Sequence, residues 1–506
     1  MKHNIFKILL CGLSVMGGML SSCNNYDDLN TNPDKTTKVP PSMLATGLIL
    51  ESVTPSYTAA FFHPHMLMKS IAWTEQALDI QYNKLERGSF SDYTPLINGI
   101  KMVEAAGGDN VEAWTALNKF IKAYTIFNIS MEMGDCPYSE ALKGEEGNVT
   151  PVYDTQEQVM SQVLADLEEA YALFGSAKNF SGDPVYGGDV AKWQRACASF
   201  ELKVLMHLSR RASDTPGLRI KERFAHIVAN CNILTSNADN YQIVFTEKQG
   251  ERYPVYADDF KWNMYPMVGS LVVDKMKATN DIRLFYYAEP AAALISAGKS
   301  ASDWDAYIGI DPSDPFSDIS KASSDGMTCN INARYKKLAT GEPFIKIGYA
   351  DQCFILAEAA QLGWISGGAD SWYKKGIEAS MRFLADCTPA EYTHGHAIDD
   401  AAIAAFLAEP SIQLTSANAI EMILTQRYLA SFLQDPYTAY YNYRRTGFPV
   451  LNINTSTSLN DVSGELPMRW RYPEKEISYN QEHLQEAITR QFGGNDSNNA
   501  RMWIIK

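Results

Sequence analysis

Apolar residues recur every three or four positions through much of this chain, the period of helices that bury one face. From Asp109 to Met133 the series Val111, Trp114, Leu117, Ile121, Tyr124 and Phe127 keeps that spacing, and Gly134-Asp135-Cys136-Pro137 stops it. Ser42 to Ile80 also reads as helix. Leu44, Leu48 and Val53 share a face there, and Met66, Met68, Ile71 and Trp73 follow the breaks at Pro55 and Pro64. Asp154-Thr155-Gln156-Glu157 has the form of a capping box, with Val159, Val163, Leu167, Tyr171 and Phe174 as the stripe behind it. Gly187-Gly188-Asp189 opens a helix that carries Trp193, Phe200, Val204 and Leu208.

The pattern returns after Lys346. Ile347 to Leu362 reads as a buried helix ending at Gly363-Trp364, and Ala369 to Ala385 as its partner, with Trp372, Ile377 and Met381 inward. Two helices with a short link and knobs of Ala and aromatic residues make a unit of tetratricopeptide type. Ser416 to Phe432 is one more long helix, and no alternating run is long enough for a large sheet. The predicted fold is therefore mainly α, with stacked tetratricopeptide-like helix pairs as scaffold.

One segment departs from this. Tyr241 to Ile310 holds 12 aromatics in 70 residues, against 11% aromatic content for the whole chain. Prolines, glycines and charges are interleaved, so residues 241–345 read as a loop-rich aromatic insert with short helices. Binding residues concentrate on loops carried by a rigid scaffold. A pyranose ring also presents an apolar C–H face that stacks on Trp or Tyr.

The start of the chain carries a different signal. Lys2 and Lys7 precede an apolar run from Ile8 through Leu20, which closes on Leu20-Ser21-Ser22-Cys23. A basic start, a short apolar core and small residues before a cleavage point mark residues 1–22 as a secretory signal peptide. The run is shorter than the roughly 20 residues of a permanent membrane helix. Its ending resembles a bacterial lipobox, which makes Cys23 the lipidated first residue of the mature chain; an ordinary cleaved signal with an incidental Cys is the alternative. Asn24 to Asp34 is polar and turn-rich and cannot bury enough surface to fold alone, so residues 23–41 read as a flexible tether that Pro40-Pro41 ends. Asp27-Asp28 resembles the export signal of surface lipoproteins in Bacteroidetes-type bacteria. Residues 42–506 remain for a single α domain.

The formal charge is −15, and removal of Lys2 and Lys7 with the signal takes it to −17. Such an acidic surface argues against nucleic acid as a partner, because phosphate neutralisation needs Lys and Arg. Of eight cysteines, six lie beyond Cys11 and Cys23, with no CxxC pair, so no structural zinc site is expected. Cys197 and Cys353 sit in apolar helical patterns and read as buried thiols. Sequence alone does not choose among the 15 pairings open to six cysteines.

Catalytic signatures are missing: the chain has no GxSxG, HExxH or GxGxxG. Ala297-Gly298-Lys299-Ser300 ends like a phosphate loop, but Ala293 stands where the first Gly belongs. His63-Pro64-His65 and His394-Gly395-His396 read as loops rather than metal ligands. Asp311, Asp314 and Asp318 lack the central Gly and closing Glu of a calcium loop. No metal or other cofactor is expected. A glycosidase needs only two carboxylates, which a chain with 59 acids does not exclude, so a surface glycoside hydrolase stays open as an alternative.

Several short motifs stand in order along the chain: Asn30-Thr31-Asn32-Pro33 with Val39-Pro40-Pro41, Gly134-Asp135-Cys136-Pro137-Tyr138-Ser139-Glu140-Ala141, and Pro151-Val152-Tyr153-Asp154-Thr155-Gln156-Glu157. Tyr186-Gly187-Gly188-Asp189 to Trp193, Ala357-Glu358-Ala359 to Gly363-Trp364, Arg444-Arg445-Thr446-Gly447-Phe448-Pro449 and Arg471-Tyr472-Pro473 complete the set. Together they resemble the motifs of the SusD-like (SusD/RagB-type) nutrient-binding lipoproteins of the Bacteroidetes outer membrane. These read as scaffold, with Glu358, Arg444 and Arg445 in buried ion pairs or helix-end contacts.

The resemblance implies a SusD-like fold and a non-catalytic protein, lipid-anchored on the extracellular face of the outer membrane. It also implies capture of an oligosaccharide or polysaccharide for a SusC-type TonB-dependent transporter as partner. By position, it places ligand contacts near Trp73 to Tyr93 and Tyr253 to Tyr307. The candidate ligand residues are Tyr82, Asn83, Trp262, Tyr265, Trp304 and Tyr307, with Arg252 and Asp258 as polar partners. A peptide ligand and a purely structural lid are the other readings that keep this location.

Overall fold

The helical half of the molecule is a stack in which each apolar stripe is covered by the next helix. In the computed structural model residues 39–435 and 437–506 are described, and Pro41–Lys506 forms one compact unit. The signal peptide, Cys23 and residues 24–38 of the tether lie outside the described residues. Helices α1 (Pro41–Val53), α2 (Ile97–Ala106), α3 (Val111–Met133), α4 (Gln156–Ser176) and α5 (Val190–His207) pack in succession. Trp114, Leu117, Phe120, Ile121, Tyr124 and Phe127 of α3 are all buried, and Phe120 meets Trp193 of α5 edge to face at 5.3 Å.

The insert contributes α6 (Ser270–Ala278) and several shorter helices. The second half then adds α7 (Tyr349–Gln361), α8 (Ala369–Cys387), α9 (Ala419–Ala430), α10 (Thr438–Thr446) and α11 (Gln481–Phe492). α7 packs against α5, α8 and α9, which joins the two halves. Four short strands make two antiparallel pairs: β1 (Ile71–Trp73) with β3 (Pro266–Val268), and β2 (Tyr241–Ile243) with β4 (Phe344–Ile347). The β2–β4 pair closes the two ends of the insert on each other, and the β1–β3 pair joins its interior to the segment after the first helix.

Several short motifs have clear structural reasons. Asp183 accepts N–H groups from Val185, Tyr186 and Gly188, and the Trp193 indole donates to it at 2.8 Å. Gly188 sits at φ +83°, where a Cβ would lie 1.6 Å from the Phe180 carbonyl oxygen. Buried Asp135 holds the Arg490 guanidinium and caps the Gln156 N–H; burial pushes its carboxyl up to about 6, against the pull of Arg490. Glu358 and Arg445 form a buried two-bond pair at 2.6 and 2.8 Å. Arg444 instead donates to the carbonyls of Met131 and Met468, its guanidinium 4.6 Å from the ring centres of Tyr440 and Tyr441. Cys197 and Cys353 are buried free thiols.

The sequence reading needs correction at four places. The helix expected through Ile80 ends at Val53. Beyond it only His63–Leu67 is α-helical, with 3-10 turns at Ala59–Phe62 and Asp79–Tyr82, and Ile71 and Trp73 lie in β1, because Pro55 and Pro64 break the chain and the insert supplies a strand partner. The capping box is Thr155 with Gln158, not Asp154 with Glu157; the Asp154 carboxylate is occupied by Tyr138 N–H and by Ser139. The helix expected from Ile347 starts at Tyr349, since Phe344–Ile347 is β4. Tyr373, not Trp372, points inward on α8; Trp372 is half-buried beneath the Lys375 ammonium, 4.4 Å from its ring centre.

Candidate functional site

The β1–β3 ribbon brings the two stretches expected to hold ligand contacts together. Trp73 pairs with Pro266, and Thr74 donates its N–H and hydroxyl to the Tyr265 carbonyl at 3.2 and 3.0 Å. A file of rings supports the surface above: Trp262 on Phe260 at 5.6 Å, Phe260 on Phe62 at 6.1 Å, Phe62 on Trp73 at 5.8 Å, and Trp73 on Tyr265 at 5.9 Å. Phe260, Phe62 and Trp73 are buried, Tyr265 is half-buried, and Trp262 is 40% exposed. Met264, at 60% exposure, extends this apolar surface and was not among the sequence candidates.

Polar groups flank it on the same loop. Arg252 donates through Nε to the Glu247 carbonyl at 2.9 Å, approaches Asp259 at 3.5 Å, and lies 5.3 Å from the Tyr256 ring centre. The Tyr256 hydroxyl donates to exposed Asp258 at 2.9 Å. Tyr256 lies within the aromatic segment but was not among the individual candidate residues.

Trp304 and Tyr307 belong to a second cluster. Half-buried Trp304 packs on Phe285 at 4.7 Å, and His396 stacks on the same Phe285 at 3.6 Å. Tyr307 is fully buried and donates to the Ala301 carbonyl at 2.8 Å. Tyr82 and Asn83 are buried as well. The Tyr82 hydroxyl donates to the Asp314 carbonyl at 3.1 Å, and Asn83 accepts the Lys69 ammonium at 2.8 Å. They stand behind a cleft of about 570 Å³ lined by Lys69, Ser270, Asp274, Lys275, Asp311 and Asn452, with Leu271, Pro312, Val450 and Leu451. Lys69 could have been noticed as the lone charge in the apolar run Met66-Leu67-Met68-Lys69-Ser70-Ile71.

Acids whose carboxyls are pushed up lie both in the scaffold and in the insert, where burial with Asp311 and Asp318 raises Asp314. Burial raises Glu132 and Glu201 to about 8, helped by Asp92 and Glu168 respectively, and raises Glu342 although Arg334 holds it. None of these acids lies on the Arg252–Tyr265 loop. Among the described residues no group of three or more His, Cys, Asp or Glu is placed to hold a metal.

An α-helical stack with an aromatic, loop-borne surface defines a class of scaffold-and-loop binding protein. The family match is more particular. Residues 33–473 match the SusD-like family described as starch-binding and associating with the outer membrane, and the chain belongs to that family. Its members are non-catalytic binding proteins. The fold is shared with a SusD homologue of Bacteroides fragilis at 52% identity, covering 92% of this chain and all of that one, with a TM-score of 0.91. A second B. fragilis homologue is 33% identical, covering 93% of this chain and all of that one, with a TM-score of 0.83. A Bacteroides vulgatus protein assigned to the outer membrane and to nutrient binding is 31% identical over 92% of this chain and all of its own, also at 0.83. No curated protein matches the chain.

Proposed function

We propose that this chain is a surface-exposed lipoprotein that captures an oligosaccharide or polysaccharide and delivers it, without chemical change, to a SusC-type TonB-dependent transporter. The observation that carries the reading is Trp262, a large indole left open to solvent on a backing of buried rings. An exposed aromatic face held rigid suits the C–H face of a sugar, and Arg252, Tyr256 and Asp258 beside it suit the hydroxyls. Family membership, described through starch binding and the outer membrane, supports both ligand class and location.

In this reading residues 1–22 are removed, Cys23 takes lipid, residues 23–41 tether the protein, and residues 241–345 of the 42–506 domain carry the ligand surface. The anchor keeps captured glycan close to the pore, which raises its effective concentration there. A lasting partner of this kind buries on the order of 2,000 Å² or more. The test is binding of fluorescent polysaccharides to whole cells that carry the wild type or Trp262→Ala. Equal labelling by the two would remove Trp262 from the site. Labelling that survives deletion of the whole gene would remove the function.

A further inference from the structure

Lys69 is a buried cation without a counter-ion. It is 2% exposed, yet no carboxylate stands within 4.0 Å of its ammonium among the described residues. Its partners are neutral: the Gln81 carbonyl at 2.6 Å and the Asn83 side-chain oxygen at 2.8 Å. An ammonium has three hydrogens, so one is left over. Arg444, also buried without an acid, has two tyrosine faces beside it. Lys203 has Asp435 and Asp351. Buried charges are normally paired, because desolvation is costly.

The nearest source of opposite charge is Asp311, and its oxygens are already engaged, Oδ1 by the Ser313 N–H at 2.8 Å and Oδ2 by the Asn452 amide at 2.5 Å. Burial accordingly pushes the Lys69 ammonium down to about 7, only partly offset by Asp311. Lys69 lines the cleft of about 570 Å³ that opens beside Ser270 and Leu271 at the start of α6. At its mouth Asp274 and Lys275 offer opposite charges, and Val450 and Leu451 supply apolar wall.

We infer that this cleft is a subsite for an acidic sugar, whose carboxylate supplies the counter-ion that Lys69 lacks. The inference rests on the glycan reading and narrows its ligand class to uronic-acid-containing chains. Lys69 immediately precedes Ser70 and β1, whereas Trp73 ends β1. One short segment thus backs both surfaces, with Lys69 at the cleft and the buried Trp73 against Tyr265.

The test is titration of the full-length protein in detergent with three uronic-acid probes: trigalacturonate, an alginate trisaccharide and a hyaluronan tetrasaccharide. Each is compared with its carboxyl-reduced neutral counterpart. A charge-assisted hydrogen bond in a desolvated site predicts about ten-fold or more tighter binding of at least one acid form. Lys69→Met should abolish that preference. Asn83→Asp, which changes one atom and gives Lys69 a carboxylate of its own, should abolish it too, and covers the case that Lys69→Met fails to fold. Equal affinity for every acid and neutral pair, or a preference that survives both variants, overturns the subsite while leaving glycan capture intact. Binding of no glycan, acid or neutral, overturns the subsite and the glycan reading together.

Discussion

The ring of Tyr265 lies 5.9 Å from that of Trp73, which fixes the aromatic insert to the segment that follows the first helices. The contact is reinforced by the two hydrogen bonds from Thr74 to the Tyr265 carbonyl. Loop residues 252–265 thereby gain the rigidity of the scaffold, and a preorganised surface loses less entropy on binding.

Exposed and buried rings of this file should separate in experiment. Trp262→Ala removes an open platform and should weaken glycan binding by about ten-fold, which is ~1.4 kcal/mol, with little change in melting temperature. Trp73→Ala empties a core position and should cost about 3–5 kcal/mol of stability in denaturant titration. Comparable destabilisation by both would place Trp262 in the core.

The Glu358–Arg445 pair ties α7 to α10. Glu358→Leu strands a buried guanidinium and should cost about 3–5 kcal/mol. Adding Arg445→Met should recover much of that loss, since a buried pair is often replaceable by apolar groups. Strict additivity of the two changes in denaturant titration would mean that the side chains are not coupled.

Glu132 faces a cleft of about 270 Å³ with Glu51, Asp92, Asp435, Lys346 and three tyrosines. Burial and Asp92 hold its carboxyl at about 8 against an ordinary 4.5, so the folded state binds this proton more tightly than the unfolded chain. The group's contribution is therefore fully present below pH 4.5 and is lost as pH rises through 8. Glu132→Gln should raise the melting temperature at about pH 9 and leave it unchanged at about pH 4. An equal effect at both values would show that Glu132 is not raised.

Gly188 accepts no side chain. With φ at +83° and the Phe180 carbonyl where a Cβ would go, Gly188→Ala should destabilise by well over about 1 kcal/mol. Thermal unfolding checks this, and a neutral outcome would mean the turn rearranges freely.

How far the sequence reveals this molecule depends on what each residue contacts. The α3 stripe was legible because its burial follows helical period alone. β1 was not, since Ile71 and Trp73 become a strand only when Met267 and its neighbours, about 190 residues later, pair with them. Thr155 and Asp154 are both good caps by type, and only the contacts of Tyr138 and Ser139 show which is free to cap. In the insert, aromatic richness marked the region, but Trp262 and Tyr307 are alike in sequence and opposite in exposure. Lys69 was passed over because a single Lys in an apolar run gains meaning only from the acids that are not beside it.

The most direct test of the account is calorimetric titration of the wild-type protein with a panel of polysaccharides and oligosaccharides, with reducing ends assayed in the same samples. The account predicts saturable binding to at least one glycan and no new reducing ends. Release of reducing ends, or saturable binding of peptides with none of glycans, would contradict it.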